Sequence, residues 1–193
     1  MNTLSHRVRV LAIGAALTLP AANLGASDVA HMTLRDLVGR ADRIVRGTVL
    51  ESTEGKIQAG GGSLPIVTYR IQVDQGLKGA AGAGDIIEVR LLGVPKQAAS
   101  GGFRRATMLK DLPQFRVRGN YLFVLTRPSA IGLSTTVGLG QGLFQVQGRP
   151  GAETAVNSAN NLGLFIGVSD APQAAGPVAY STLVQQIKNL LSR

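Results

Sequence analysis

Two segments in the first half of the chain restrict its fold more than anything else in it. One reads Ala41-Asp42-Arg43-Ile44-Val45-Arg46-Gly47-Thr48-Val49, the other Val67-Thr68-Tyr69-Arg70-Ile71-Gln72-Val73-Asp74-Gln75-Gly76-Leu77-Lys78-Gly79. In the second, Val67, Tyr69, Ile71 and Val73 point one way and Thr68, Arg70, Gln72 and Asp74 the other, which is the two-residue period of a half-buried strand. The first predicts a strand over 44–52, with Gly47 as a bulge or bend of the kind a small barrel needs at a corner. Residues 54–65 contain Gly60-Gly61-Gly62-Ser63-Leu64-Pro65 and read as a flexible hairpin tip between the two strands. The second strand is predicted over 66–75, Gly76-Leu77-Lys78-Gly79 turns the chain, and Asp85 starts a third strand with Ile87, Val89 and Leu91 on one face.

The flanks add helices and further strands. Thr33 and Asp36 have capping-box spacing, and Leu34, Leu37, Val38 and Ala41 make one apolar stripe, so a short helix precedes the first strand. Residues 96–114 read as a long basic loop. The nearly all-apolar run 120–126 is a strand buried on both faces. Two more strands are expected at 134–139 and 142–147, and one within 154–165. Residues 172–177 form a loop, and Ser181 or Thr182 caps a last helix over about 181–192, with Leu183, Ile187, Leu190 and Leu191 on one face. Five to seven short antiparallel strands with glycine corners, one helix before them and one after, predict a mainly β fold closed or nearly closed into a small barrel. The connections are too short for βαβ units.

The N-terminus reads as an export signal over 1–26. His6, Arg7 and Arg9 precede an apolar run from Val10 to Leu19, and small residues follow at Ala21, Ala22, Gly25 and Ala26. The run is shorter than the roughly 20 apolar residues that span a bilayer, so a removed leader is favoured over an anchor. A single domain over 27–193, exported to the periplasm or beyond, is the expectation, with no transmembrane helix after signal removal. Loss of Arg7 and Arg9 takes the net charge from +9 to +7. A chain this basic favours acidic partners. It contains no cysteine, which excludes disulfides and thiolate chemistry.

Catalytic kits are sparse. His31 is the only histidine after the leader, and there is no Gly-x-Ser-x-Gly or His-Glu-x-x-His motif. Neither a metal nor a cofactor is expected. Asp42 lies at a helix-to-strand junction, where its carboxylate is expected to fix the turn through backbone amides, and Gly47 and Gly79 are structural turn positions. Gly138-x-Gly140-x-Gly142 lacks nucleotide-loop spacing and reads as close strand packing or a bulge. The best binding candidates are Phe103, Arg104, Arg105, Lys110, Phe115, Arg116 and Arg118, where arginines interleave with aromatics in the manner of polyanion, sugar or base binders.

Several of these pieces also match a known pattern. The helix, then Ala41-Asp42-x-Ile44-Val45-x-Gly47-x-Val49, then Gly76-Leu77-Lys78-Gly79 and Gly84-Asp85-x-Ile87-x-Val89, resembles the opening of the netrin-like domain. That is the oligonucleotide/oligosaccharide-binding (OB) type of barrel used by tissue inhibitors of metalloproteinases. Pro113-Gln114-Phe115-x-Val117-x-Gly119-Asn120-Tyr121-Leu122-Phe123-Val124-Leu125 and Gly138-Leu139-Gly140-Gln141-Gly142-Leu143-Phe144-Gln145-Val146 resemble a large set of uncharacterised exported bacterial proteins. The resemblance covers roughly residues 34–146 and implies an OB-like, netrin-like barrel. The inhibitors bind a protease zinc through an N-terminal cysteine, and this chain has none, so only the scaffold carries over.

The functional expectation is an exported, non-enzymatic binding domain that contacts an anionic envelope polymer or an exported protein, such as an extracellular hydrolase, through its basic loop. Export argues against intracellular nucleic acid. The alternatives are an envelope-polymer hydrolase using loop carboxylates, which needs two acids in one cleft, and a purely structural envelope protein.

Overall fold

A computed structural model describes residues 30–93 and 112–192. The elements are α1 (Leu34–Arg40), β1 (Arg43–Ala59), β2 (Gly62–Lys78), β3 (Ile86–Leu92), β4 (Asn120–Leu125), a 3₁₀ turn (Leu139–Gly142), β5 (Leu143–Gln147), β6 (Thr154–Val156), β7 (Val178–Ala179) and α2 (Tyr180–Leu191). The seven strands form one antiparallel sheet in the order β3-β2-β1-β4-β5-β6-β7. The fold is therefore mainly β. The ladder is open, with β3 and β7 at its two ends. One backbone bond reaches across: the Ser134 amide donates to the Arg90 carbonyl of β3 at 2.9 Å, while Val137 N–H donates to Val124 of β4.

The capping box forms as the spacing predicts. Thr33 Oγ1 accepts from the Asp36 amide at 3.2 Å, and Asp36 Oδ2 accepts from the Thr33 amide at 3.1 Å. Leu34, Leu37, Val38 and Ala41 are all buried. The first two strands run well past their expected ends. The hairpin tip is only Gly60 and Gly61, with φ of 59° and 75°. Two consecutive left-handed residues make the primed turn whose twist matches the flanking strands. Residues 76–78 are still β2, and the chain turns only at Gly79. Gly79 has φ 89°, and a Cβ there would lie 2.8 Å from Arg43 Cγ.

β1 and β2 pair with register shifts at Ile44/Val45, Arg46/Gly47 and Val49/Glu51. At Gly47 a Cβ would meet the Gln72 carbonyl oxygen and lie 2.7 Å from Ile71 Cγ2. These irregularities increase local twist and bend the strands. The sheet therefore has two differently filled faces. Val45, Val49, Tyr69, Ile71, Val73, Ile87, Val89, Leu91, Phe115, Tyr121, Phe123 and Leu125 pack together on one. The other holds Ile44, Leu122, Val124, Phe144 and Val146 against α1 and the Tyr180, Leu183, Val184 and Ile187 stripe of α2.

The second half differs more from expectation. Residues 134–139 are not a strand; only Thr136 bridges to Leu125. Positive φ at Gly138 and Leu139 breaks the extended backbone before the 3₁₀ turn. α2 begins at Tyr180, before either proposed cap, and its N-cap is Ala179 with no side-chain bond. Leu191 is exposed, and Val184 takes its place in the buried stripe. Among the described residues no helix is long and apolar enough to cross a membrane.

Candidate functional site

Two open clefts lie side by side, and both fall in the size range of ligand pockets. The first, about 890 Å³, runs between the β1–β2 hairpin and the end of β3, with an apolar floor including Ile66, Val67 and Leu91 and with Ser52, Glu54, Lys56 and Ser63 among its polar groups. The second, about 650 Å³, lies between His31, Arg116, the 3₁₀ turn and residues 156–159. Leu112, Pro113 and Gln114 line both, so these three residues form a ridge between the clefts.

Aromatic packing anchors the chain just after that ridge. Phe115 is buried, with its ring 4.6 Å from Tyr69 and 5.0 Å from Phe123 between centroids. The two tyrosine hydroxyls behind it hold consecutive backbone positions. Tyr69 hydrogen-bonds the Phe115 backbone, and burial pushes its phenol up. Tyr121 Oη accepts from the Arg116 amide at 3.3 Å. Arg116 therefore leaves a fixed backbone and points its exposed side chain into the second cleft.

The floor of that cleft is the Gly138–Gly142 segment. Here the close-packing reading is right, although the element is a tight turn rather than a strand. A Cβ on Gly138 would lie 2.5 Å from Met32 Sδ, one on Gly140 2.8 Å from Ser158 Cβ, and one on Gly142 3.0 Å from the Val137 nitrogen. Leu139 has φ 56°, uncommon for a residue with a side chain. Its carbonyl accepts from Thr136 Oγ1 at 2.5 Å. The buried Gln141 side chain acts as a peptide group: Oε1 accepts from the Met32 amide at 2.8 Å and Nε2 donates to the Ala30 carbonyl at 3.1 Å. That clamp holds His31 at the mouth of the cleft.

Asn157 belongs to the remaining wall, and Asn161 braces it from behind. Asn161 N–H donates to Asn157 Oδ1 at 2.8 Å, and Asn157 N–H donates to Asn161 Oδ1 at 3.1 Å. Asn161 Nδ2 then donates to the Ala155 and Gly176 carbonyls, and Asn157 Nδ2 to the Gln141 carbonyl. Asn160 and Asn161 both have left-handed backbones, which asparagine tolerates.

The charge character of the two clefts differs. Among the described residues no carboxylate lines the second, whose ionisable groups are Arg116, His31 and the Tyr121 phenol. Glu54 is the one carboxylate of the first, beside Lys56. A third, smaller cavity of about 110 Å³ contains Asp170. Among the described residues none of the three clefts brings two acids together, as the hydrolase alternative requires. No group of three potential metal ligands comes together among the described residues.

Carboxylates do meet elsewhere, in a half-buried network on the helix-covered face. Arg46 donates from Nε to Asn120 Oδ1 at 3.0 Å and from an Nη to Glu153 at 2.9 Å. Its guanidinium stacks 4.6 Å over the Tyr180 ring. Asn120 Nδ2 continues the chain to Asp74 at 2.7 Å, and Tyr180 Oη donates to Gln75 at 2.8 Å. The hydrogen bond from Arg46 holds the Glu153 carboxyl below its usual range. Burial pushes the Tyr180 phenol up to about 12, against the opposing charge of Arg46. Each of these groups is spent on a neighbour, so the network fastens α2 to the sheet.

The sequence-derived site is only partly brought together. Arg116 lines the second cleft, and Arg118 is exposed nearby in a left-handed conformation, its N–H donating to Val49. Phe115, expected to contact ligand, is a core residue instead, because it supplies the centre of an aromatic cluster. Phe103, Arg104, Arg105 and Lys110 lie outside the described residues. Asp42 does sit at the helix-to-strand junction, but its carboxylate accepts from Arg127 Nε at 3.2 Å and its own amide donates to Leu125. No family model matches the chain, and no curated protein matches it.

Proposed function

We propose that the protein is an exported, non-enzymatic binding domain that holds an anionic ligand in the second cleft. The carrying observation is the lining of that cleft: Arg116 and His31 among carboxamides and a hydroxyl, with no carboxylate among the described residues. Such a lining offers donors and positive charge to an anion and no like-charge penalty. Its built floor of tightly packed glycines and a left-handed leucine supports the reading, since backbone strain concentrates at functional sites.

The scaffold we infer is a partly closed OB-like barrel of the netrin-like kind. The curled sheet and the Ser134–Arg90 backbone bond support it, and the basic composition with its N-terminal leader pattern supports export. The test is titration of the mature chain with polyglutamate, polyphosphate and polygalacturonate. At least one polyanion is expected to bind, and Arg116→Ala with Arg118→Ala is expected to weaken it. Failure of all three to bind, or equal binding by the double variant, overturns the reading.

A further inference from the structure

Each cleft alone is the size of a site for one small ligand, yet the two share a wall. The ridge of residues 112–114 belongs to both, and the chain immediately after it is held at Phe115 and Arg116 by the Tyr69 and Tyr121 hydroxyls. Two sites that share one wall three residues wide suit a linear ligand that crosses it better than two unrelated small ones.

The chemistry on either side narrows the class. Each cleft supplies one long cation, Lys56 in the first and Arg116 in the second. Between and around them are hydroxyl and carboxamide groups, Ser52 and Ser63 on one side and Gln114 and Gln145 on the other. Such groups exchange hydrogen bonds with sugar hydroxyls, and two separated cations match charges spaced along a chain. Single-stranded nucleic acid fits less well, because it needs exposed rings to stack its bases. The tyrosines facing the clefts, Tyr69 and Tyr121, are only 6% and 5% exposed.

We propose that the two clefts form one groove for a linear acidic polysaccharide, with the second cleft as its anchor and the first as an extension across the ridge. This rests on the anion-binding reading above and goes beyond it in naming the polymer. The experiment is calorimetric titration of the mature chain with galacturonate di-, tetra- and octasaccharides. Affinity is expected to rise about tenfold from disaccharide to octasaccharide as the first cleft becomes engaged. Arg116→Ala is expected to weaken every length. Lys56→Ala, on an exposed hairpin position that leaves the core intact, is expected to reduce the octasaccharide to the level of the shorter oligomers and leave the disaccharide unchanged.

Length-independent affinity, or an octasaccharide indifferent to Lys56→Ala, overturns the groove while leaving the anchor cleft standing. Binding of polyphosphate or polyglutamate without galacturonate overturns the polysaccharide assignment and, for polyglutamate, favours an acidic peptide. Silence from all polyanions removes the anion-binding reading itself.

Discussion

The two faces of the sheet draw on the same strands and are built from different material. Along β4, Leu122 and Val124 enter the helix-covered face while Tyr121, Phe123 and Leu125 enter the opposite one. The covered face is largely aliphatic under α1 and α2 and finishes at its edge in the Arg46 network. The other face gathers four aromatic rings beside the ridge, and two of them carry hydroxyls that hold the backbone immediately after it. One face thus serves mainly to hold the molecule together, and the other also transmits its order to the clefts. A sheet with a two-residue period can do both, because each strand addresses the two faces independently.

The largest effect that would test this division comes from the covered face. Phe144→Ala is expected to cost about 4 kcal/mol in denaturant unfolding, with the folded fraction binding polyanion as the parent does. Affinity that falls with stability would show the faces to be coupled. Next is Asn161→Ala, which strands the Ala155 and Gly176 carbonyls and the Asn157 amide. A loss of about 2–3 kcal/mol is expected, since buried polar groups lose their partners. This knot lies under the second cleft, so affinity should fall too.

A smaller effect concerns the edge of the covered face. Tyr180 has its phenol raised to about 12 in the folded protein, whereas the unfolded chain releases that proton near pH 10. The raised group therefore favours folding below the unfolded value, and this contribution is lost as pH rises from about 10 to 12. Stability should drop by about 1–2 kcal/mol over that window, and Tyr180→Phe should flatten the limb. The smallest stability effect sharpens the comparison most. Tyr121→Phe deletes one hydrogen bond and should cost about 1 kcal/mol, but it releases the Arg116 backbone. Affinity should fall while the thermal midpoint barely moves; an unchanged affinity would show that the hydroxyl does not set the ridge.

What could be read from the residues was what depends on neighbours in sequence. The Thr33–Asp36 box, the α1 stripe, the alternation of residues 67–73 and the glycine at the first hairpin are all local, and all appear. What escaped reading depends on residues far apart. The covered-face network joins positions 46, 74, 120, 153 and 180, which share no local pattern until the sheet order and the start of α2 bring them together. Phe115 sat among arginines and so resembled a surface aromatic, but Tyr69, 46 residues earlier in the chain, makes it core. The expected strand at 134–139 had suitable residues, yet the tertiary position of Ser158 and Met32 against the glycines forces a turn. Of the second cleft, Arg116 was legible from charge clustering; His31 and the Asn157–Asn161 wall were not, because neither has a local pattern that separates a cleft wall from a loop.

The β1–β2 hairpin extends well beyond its neighbours. β4 accompanies β1 only to Thr48, and β3 with Gly93 flanks β2 only from Pro65 onward, so from Ile57 to Leu64 each strand has the other alone beside it. A two-stranded ribbon holds its amides weakly. Amide–deuterium exchange should therefore be graded along it, fastest near Gly60 and slowest where the third strands begin. Because Glu54, Lys56 and Ser63 are also wall residues of the first cleft, that gradient is an internal ruler: an occupant of the cleft would shift its steep part toward the tip, and the length of the shift would report how far along the hairpin the ligand reaches.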